Sequence, residues 1–328
     1  MKKGIFLTII LLLLSLVSCQ QKQEQGEAFL PSSKGNINDI AIVIDDVLWS
    51  GEVGDSLRKK LAYPIDGLPQ EEPILTINQY SPKIFEGVVT QSRNIIVVSK
   101  GITKEFKHVE NKYARPQNVF YITGYSIHEI LDLIELHSET IISIIKFSEI
   151  QVVQQKMGKA LLKDDKLRGV FLINIKIPDT YKYVAEKENF YWIKKDIPSG
   201  SSSLLVYQVP MGQIERGNDI VGNIVKVRDS VGNLYIHGTM ENSSMITEEG
   251  YSPYFFTTKV DGKLTYETKG TWELQNNFMN GPFLNYVIRD EKNKRYLILE
   301  GFTYNPSNAK RDLIFELEAI IKSVHILE

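Results

Sequence analysis

The chain carries one cysteine, Cys19. A single thiol cannot close an intramolecular disulfide or build a cysteine-based zinc cluster, so neither kind of cross-link staples the fold. With 328 residues, 43% of them hydrophobic, there is enough apolar surface for one large domain or two of ordinary size. The formal net charge of −2 supplies no attraction for a polyanion, and no nucleic-acid partner is expected.

The position of that cysteine matters more than its solitude. Lys2 and Lys3 precede an apolar run from Ile5 to Val17, interrupted only by Thr8 and Ser15. A basic start, a short apolar core and small residues before a cut site make a secretion signal. The run is too short for a spanning helix, which needs roughly 20 apolar residues. Leu16-Val17-Ser18-Cys19 resembles a bacterial lipobox. The resemblance implies that Cys19 becomes the first mature residue and carries diacylglycerol through its sulfur, with palmitate-type acyl chains. Each buried methylene contributes about 0.8 kcal/mol, and stable anchoring takes more than one chain. Loss of Lys2 and Lys3 shifts the formal charge from −2 to −4, so the lipid rather than the protein surface holds the membrane. Gln20 is not acidic and no dense acidic cluster follows it, which points to the outer membrane, facing the periplasm. The expected partners are the membrane, through Cys19, and a further envelope protein.

The chain divides into a signal peptide (1–18), a flexible glutamine-rich tether (19–36), an N-terminal α/β domain (37–166) and a C-terminal α+β domain (167–328). The fold class expected is α+β, with two α/β sub-domains, the second an antiparallel strand meander closed by a C-terminal helix. In the first half, Asp39–Asp45, Pro73–Gln79 and Arg93–Ser99 read as strands and Gly51–Leu61 as an amphipathic helix. Asp66-Gly67-Leu68-Pro69 reads as a turn. Tyr125–Lys163 reads as helical, opened by a Ser126–Glu129 capping box. In the second half, strands are expected at Val170–Ile177, Phe190–Lys194 and Leu204–Val209. Ile220–Arg228 and Leu234–His237 are expected to be strands around a loop at 229–233. Phe255–Val260 and Lys263–Thr268 flank Asp261-Gly262, a strong hairpin signal. Gly270–Leu274, Phe283–Arg289 and Arg295–Phe302 extend the meander, with Gly281-Pro282 as a turn. Ala309–Ser323 closes the chain as a helix, with Leu313, Leu317, Ile320 and Ile321 on its buried stripe.

Several strings resemble an uncharacterised lipoprotein family typical of Bacteroidota, which bears only a domain-of-unknown-function label. They are Gly67-Leu68-Pro69-Gln70-Glu71-Glu72-Pro73, Arg93-Asn94-Ile95-Ile96, Arg228-Asp229-Ser230, Gly281-Pro282-Phe283 and Glu300-Gly301-Phe302. The resemblance implies an envelope lipoprotein and assigns no catalytic residue. The strand-then-helix end also resembles the α/β/α sandwich of photosystem-associated and Ran-binding small domains, a likeness of fold that carries no function.

Catalytic signals are sparse. His108, His128, His137, His237 and His325 lack ligand spacing, so no metal or cofactor is implied. Ser56–Lys59 and Ser143–Lys146 are Ser-x-x-Lys strings of the kind that this composition produces by chance, and their partner motifs are absent. The adjacent carboxylates Asp45-Asp46, Glu71-Glu72, Asp164-Asp165 and Glu248-Glu249 read as solvated turn charges, because neighbours on a strand point to opposite faces. The one suggestive grouping is Arg228, Asp229, Trp272, Met279, Phe283 and Arg289, aromatics beside charges that could form a ligand groove. A packed core edge with a paired arginine and aspartate is the favoured explanation of the same residues. The reading is a lipid-anchored binding or accessory subunit of the periplasm. The alternative is a periplasmic hydrolase acting on glycan or peptide.

Overall fold

A computed structural model describes residues 30–163 and 165–327. The signal peptide, residues 19–29 of the tether (Cys19 included), Asp164 and Glu328 lie outside the described residues. The remainder expected to be a flexible tether is instead fastened to the first unit, Ser32 bridging to Arg115 and Lys34 to Ser92. The first unit runs β1 (Asp39–Ile44), α1 (Asp46–Trp49), α2 (Glu52–Leu61), β2 (Thr76–Tyr80), β3 (Asn94–Lys100), β4 (Glu105–Glu110), β5 (Asn118–Gly124) and α3 (Ile127–Met157). Its sheet order is β2-β1-β3-β5-β4, parallel except where β4 meets β5. Such a sheet needs an apolar layer on its face. Val53, Leu57 and Leu61 of α2, spaced by four, supply part of it, with Ile130, Ile134, Ile141 and Ile145 of α3. The helix α3 starts where the capping box places it. Ser126 Oγ accepts from Glu129 N, and the Glu129 carboxylate accepts from Tyr125 N.

At about 1.5 Å per residue, α3 is roughly 46 Å long, long enough to serve two cores. Its Ile130–Ile145 stretch packs on the first sheet, whereas Ile150, Val153 and Met157 pack into the second unit. No helix among the described residues is long and apolar enough to cross a membrane.

The second unit contains α4 (Lys166–Phe171), β6 (Ile173–Asn174), β7 (Lys182–Lys187), β8 (Phe190–Ile197), β9 (Gly200–Pro210) and α5 (Met211–Ile214). It continues through α6 (Ile220–Tyr235), β10 (Met245–Thr247), β11 (Tyr254–Val260), β12 (Lys263–Leu274), β13 (Asn280–Asp290), β14 (Arg295–Tyr304), α7 (Arg311–Ile321) and β15 (His325–Ile326). The main sheet is antiparallel, ordered β10-β12-β13-β14-β9-β8-β7, with β11 also paired to β12. Asp261 and Gly262 both have positive φ, 50° and 72°, as a two-residue type I′ hairpin requires. The helix α7 packs closely on one face because β14 carries Gly301, where a Cβ would sit 2.8 Å from that of Leu317. The helix α6 covers the other face over Leu205, Tyr207, Val287 and Ile298.

Three further expectations need correcting. Ile220–Tyr235 is one helix, not two strands around a loop: Asp219 caps it by accepting from Gly222 N at 2.9 Å. Its buried residues Ile224, Arg228 and Gly232 recur every four positions. Lys166–Phe171 is helical where Val170–Ile177 reads as a strand, and only Ile173–Asn174 pairs. Gly281-Pro282 lies inside β13 rather than in a turn; a Cβ on Gly281 would sit 2.1 Å from the Thr303 carbonyl.

Candidate functional site

The residues singled out from sequence are placed as follows. Arg228, Trp272 and Phe283 are buried in one core between α6 and the sheet, and Met279 packs against the same core. The Arg228 guanidinium lies 3.9 Å from the Phe283 ring centroid and 3.0 Å from Glu300 Oε1, and donates to Thr247 Oγ1 at 2.9 Å. Asp229, partly exposed, accepts from Thr247 N and Oγ1 at 2.7 and 2.8 Å, tying β10 to α6. Trp272 Nε1 donates to the Thr303 carbonyl at 3.3 Å. Arg289 stands apart, its Nε 3.1 Å from Glu215 Oε1. These residues are core and its fastenings, and Phe283 also lines a small cavity at the seam.

Thr268, Asn285 and Glu300 are register neighbours across β12, β13 and β14, all buried on the α6 face. Burial pushes the Glu300 carboxyl above its ordinary range, and Arg228 opposes that only in part. The sequence signal for this pair is a lone carboxylate inside Tyr-Leu-Ile-Leu-Glu-Gly-Phe at 296–302, which demands a buried cation.

The open site lies in the seam between the two units. The segment after α2 runs back across the second sheet, and Gly67, with φ 83°, lies against β12: a Cβ there would be 2.9 Å from Gly270 N. The seam is fixed by the C-terminal helix. Glu72 accepts from Lys310 N and Arg311 N at 2.7 and 2.9 Å, capping α7 from the other unit. Arg311 donates to the Pro73 carbonyl and to Thr76 Oγ1. Lys146 Nζ of α3 pairs with Glu318 Oε1 of α7 at 2.9 Å. Beside Lys146 and Glu318 is a small cavity of about 60 Å³, sized for water.

The other side of the Gly67 segment opens into a cleft of about 510 Å³. That is within the range of roughly 300–1,000 Å³ common for small-ligand sites. Asp66, Glu71 and Glu248 line it, with Tyr251, Tyr254, Thr271 and Asn280, and among the described residues no lysine or arginine does. Tyr251 is 74% exposed, so its ring is available to an incoming ligand. Glu248 accepts from Thr271 Oγ1, which orients its carboxylate. Ionised carboxylates only accept hydrogen bonds, so the cleft suits a ligand rich in donors, with tyrosine rings to stack on. Glu71 and Glu248, read from sequence as turn charges, thus come to one cleft from different units, whereas Asp45 caps α1 and does not line it. A more open depression of about 660 Å³ on the outer side of α6 has mixed charges, Arg216, Asp219 and Lys226 among them.

Residues 160–323 match the family described as Domain of unknown function (DUF4837), and residues 33–158 match Domain of unknown function (DUF8532). No curated protein matches the chain. Among solved structures, the Ran-binding protein Mog1p of Saccharomyces cerevisiae aligns at 8% identity and TM-score 0.32, covering 48% of this chain and 91% of its own. A point mutant of Mog1 aligns at 8% identity and TM-score 0.30, covering 48% of this chain and 92% of its own. Likeness at that level carries no argument about function.

Proposed function

The chain belongs to the family described as Domain of unknown function (DUF4837), and on that premise we propose a lipid-anchored envelope protein that binds a donor-rich ligand in its seam cleft. It would act in the periplasm as a non-enzymatic binding or accessory subunit, held at the outer membrane through Cys19. The family description supplies no activity, so the reading rests on the cleft: Asp66, Glu71 and Glu248 facing exposed Tyr251 and Tyr254 in about 510 Å³. Support for the anchor comes from the Leu16-Val17-Ser18-Cys19 string.

Titration calorimetry with an N-acetylglucosamine trimer and with trilysine tests the two donor-rich chemistries, hydroxyl and amine. Binding of one probe, weakened at least about tenfold by Tyr251→Ala and by Glu248→Gln, is the expected result. A folded protein that binds neither probe overturns the reading. For the anchor, Cys19→Ser should abolish incorporation of an alkynyl palmitate and move the protein out of the membrane fraction.

One observation favours a second reading, hydrolysis of glycan or peptide: Glu71 and Glu248 approach the same cleft from different units, as an acid and base pair would. Mass spectrometry of the two probes after incubation separates the readings. Cleavage abolished by Glu71→Gln or Glu248→Gln establishes the hydrolase, and intact probes leave the binding protein.

A further inference from the structure

The chain repeatedly seats its own ammonium groups between a tyrosine ring and a glutamate. Lys166 Nζ lies 5.1 Å from the Tyr183 ring centroid and 2.7 Å from Glu186 Oε2. Lys195 Nζ lies 5.2 Å from the Tyr181 centroid and pairs with Glu316 Oε1. Lys322 Nζ lies 5.9 Å from the Tyr286 centroid and 2.7 Å from Glu318 Oε1. The negative face of the ring and the carboxylate both attract the ammonium, and each does so more strongly where water is partly excluded.

The seam cleft presents the same two kinds of partner without a cation of its own. Asp66 and Glu71 reach it from the Gly67 segment and Glu248 from the loop after β10, with the rings of Tyr251 and Tyr254 beside them. Among the described residues, none of these three carboxylates pairs with a lysine, arginine or histidine. Glu248 is held by a neutral hydroxyl, Thr271 Oγ1. The cations that line the small cavity on the other side of the Gly67 segment have partners elsewhere: Lys146 has Glu318, Lys269 has Glu267 at 2.8 Å, and Arg311 has Asp312 at 2.8 Å. Three carboxylates facing one concave space concentrate negative potential there.

We infer that the cleft binds a chain of alkylammonium groups, such as a polyamine or a lysine-rich peptide segment carries, which rests on the cleft being the binding site proposed above and narrows its donor-rich ligand to a cationic one. A neutral sugar offers hydroxyl donors but gains no Coulomb energy from three unpaired carboxylates, and it leaves their mutual repulsion in place. An ammonium relieves that repulsion and donates to the carboxylates. Its methylene stem and charged head also lie favourably against tyrosine faces. Because the carboxylates arrive from two segments, more than one ammonium group is needed to meet them all.

The test is titration calorimetry on the full chain in detergent, with spermidine and trilysine, each also in acetylated form, and with the N-acetylglucosamine trimer. Spermidine binding marks the ammonium chain as sufficient, and trilysine binding alone marks a peptide as its source. Acetylation should weaken binding at least about tenfold. Raising salt from about 20 to about 200 mM should weaken it as well, because the attraction is screened. Glu71→Gln and Glu248→Gln should each cost at least about tenfold in affinity. Glu110→Gln, at an exposed carboxylate outside the cleft, should leave affinity unchanged. Tyr251→Phe keeps the ring face and should bind as the parent does, whereas Tyr251→Ala should lose at least about tenfold. Equal affinity for free and acetylated probes, or cation binding that survives both glutamine variants, overturns the inference. Binding of the sugar trimer alone overturns it and leaves the cleft as a binding site. A folded protein that binds none of the probes overturns both.

Discussion

Lys146 Nζ and Glu318 Oε1 stand 2.9 Å apart across the seam, joining the long helix of the first unit to the last helix of the second. Glu318 is also 2.7 Å from Lys322 and accepts from Tyr286 Oη at 3.1 Å. Burial alone would push its carboxyl up; Lys146, Lys322 and Lys269 outweigh that and hold it well below the usual carboxylate range. A depressed carboxyl stabilises the fold above its unfolded value near 4.3, and that contribution is lost as pH falls further. Glu318→Gln should cost about 1–3 kcal/mol at pH 7 and flatten the acid limb of a urea-midpoint against pH curve. Lys146→Met should cost less, because Lys322 remains on the carboxylate and Lys146 is itself a third exposed.

Glu72 makes a sharper test of how the units are joined. Its two oxygens take the N–H groups of Lys310 and Arg311, which have no partner within the helix they begin. Glu72→Ala should cost about 0.5–2 kcal/mol, the usual worth of a helix cap. Glu72→Gln keeps one acceptor oxygen and should cost less. Thermal melts of the two variants give the comparison, and equal losses would mean that the contact matters by charge alone.

Much of this architecture is legible in the residues. The stripes of α2 and α7, the Ser126 capping box and the Asp261-Gly262 hairpin each depend on local chemistry that operates in the folded chain. The helix α6 is misread because its buried face includes Arg228, so a search for apolar spacing misses the four-residue period, while Val225 and Val227 lend the segment a strand-like alternation. Glu105–Glu110 and Asn118–Gly124 pass unnoticed, the first being a polar edge strand whose order comes from its neighbour. The cleft is invisible for a different reason. Asp66 and Glu71 lie some 180 residues before Glu248 and Tyr251, and only the seam brings them together. Arg228 and Phe283 are singled out from sequence as part of a ligand groove, whereas the structure sets them in a core where buried Glu300 faces the arginine.

Gly67 connects seam and cleft. Its positive φ is unfavourable for an L side chain, and the backbone of Gly270 leaves no room for a Cβ. Gly67→Ala should therefore lift the 64–71 segment off β12, lowering the melting temperature by more than a surface change would, with a cost of about 1 kcal/mol or more. Ligand affinity should fall with it, since Asp66 and Glu71 lie on either side of that position. Tyr251→Ala is the matched control: its ring is exposed, so it should lose affinity and keep its melting temperature.

The last expectation concerns Arg228 and Glu300, whose side chains are 1% and 0% exposed. Removing one member of such a pair strands the other, which typically costs about 3–5 kcal/mol, whereas replacing both with apolar residues is often near neutral. Arg228→Met should thus be severely destabilised and Arg228→Met with Glu300→Leu largely restored. The pH dependence carries the sign. Glu300 is already pushed up by burial, and without Arg228 nothing opposes that push. A carboxyl raised in the folded state favours folding while it stays protonated, and that advantage is lost as pH rises past its unfolded value near 4.3 and through the folded one. Urea midpoints at pH 5 and pH 8 should therefore show the Arg228→Met deficit growing with pH, and the double variant should show no such growth. A deficit equal at both values would mean that Arg228 is held by Phe283 and Thr247, and that Glu300 contributes nothing as a charge.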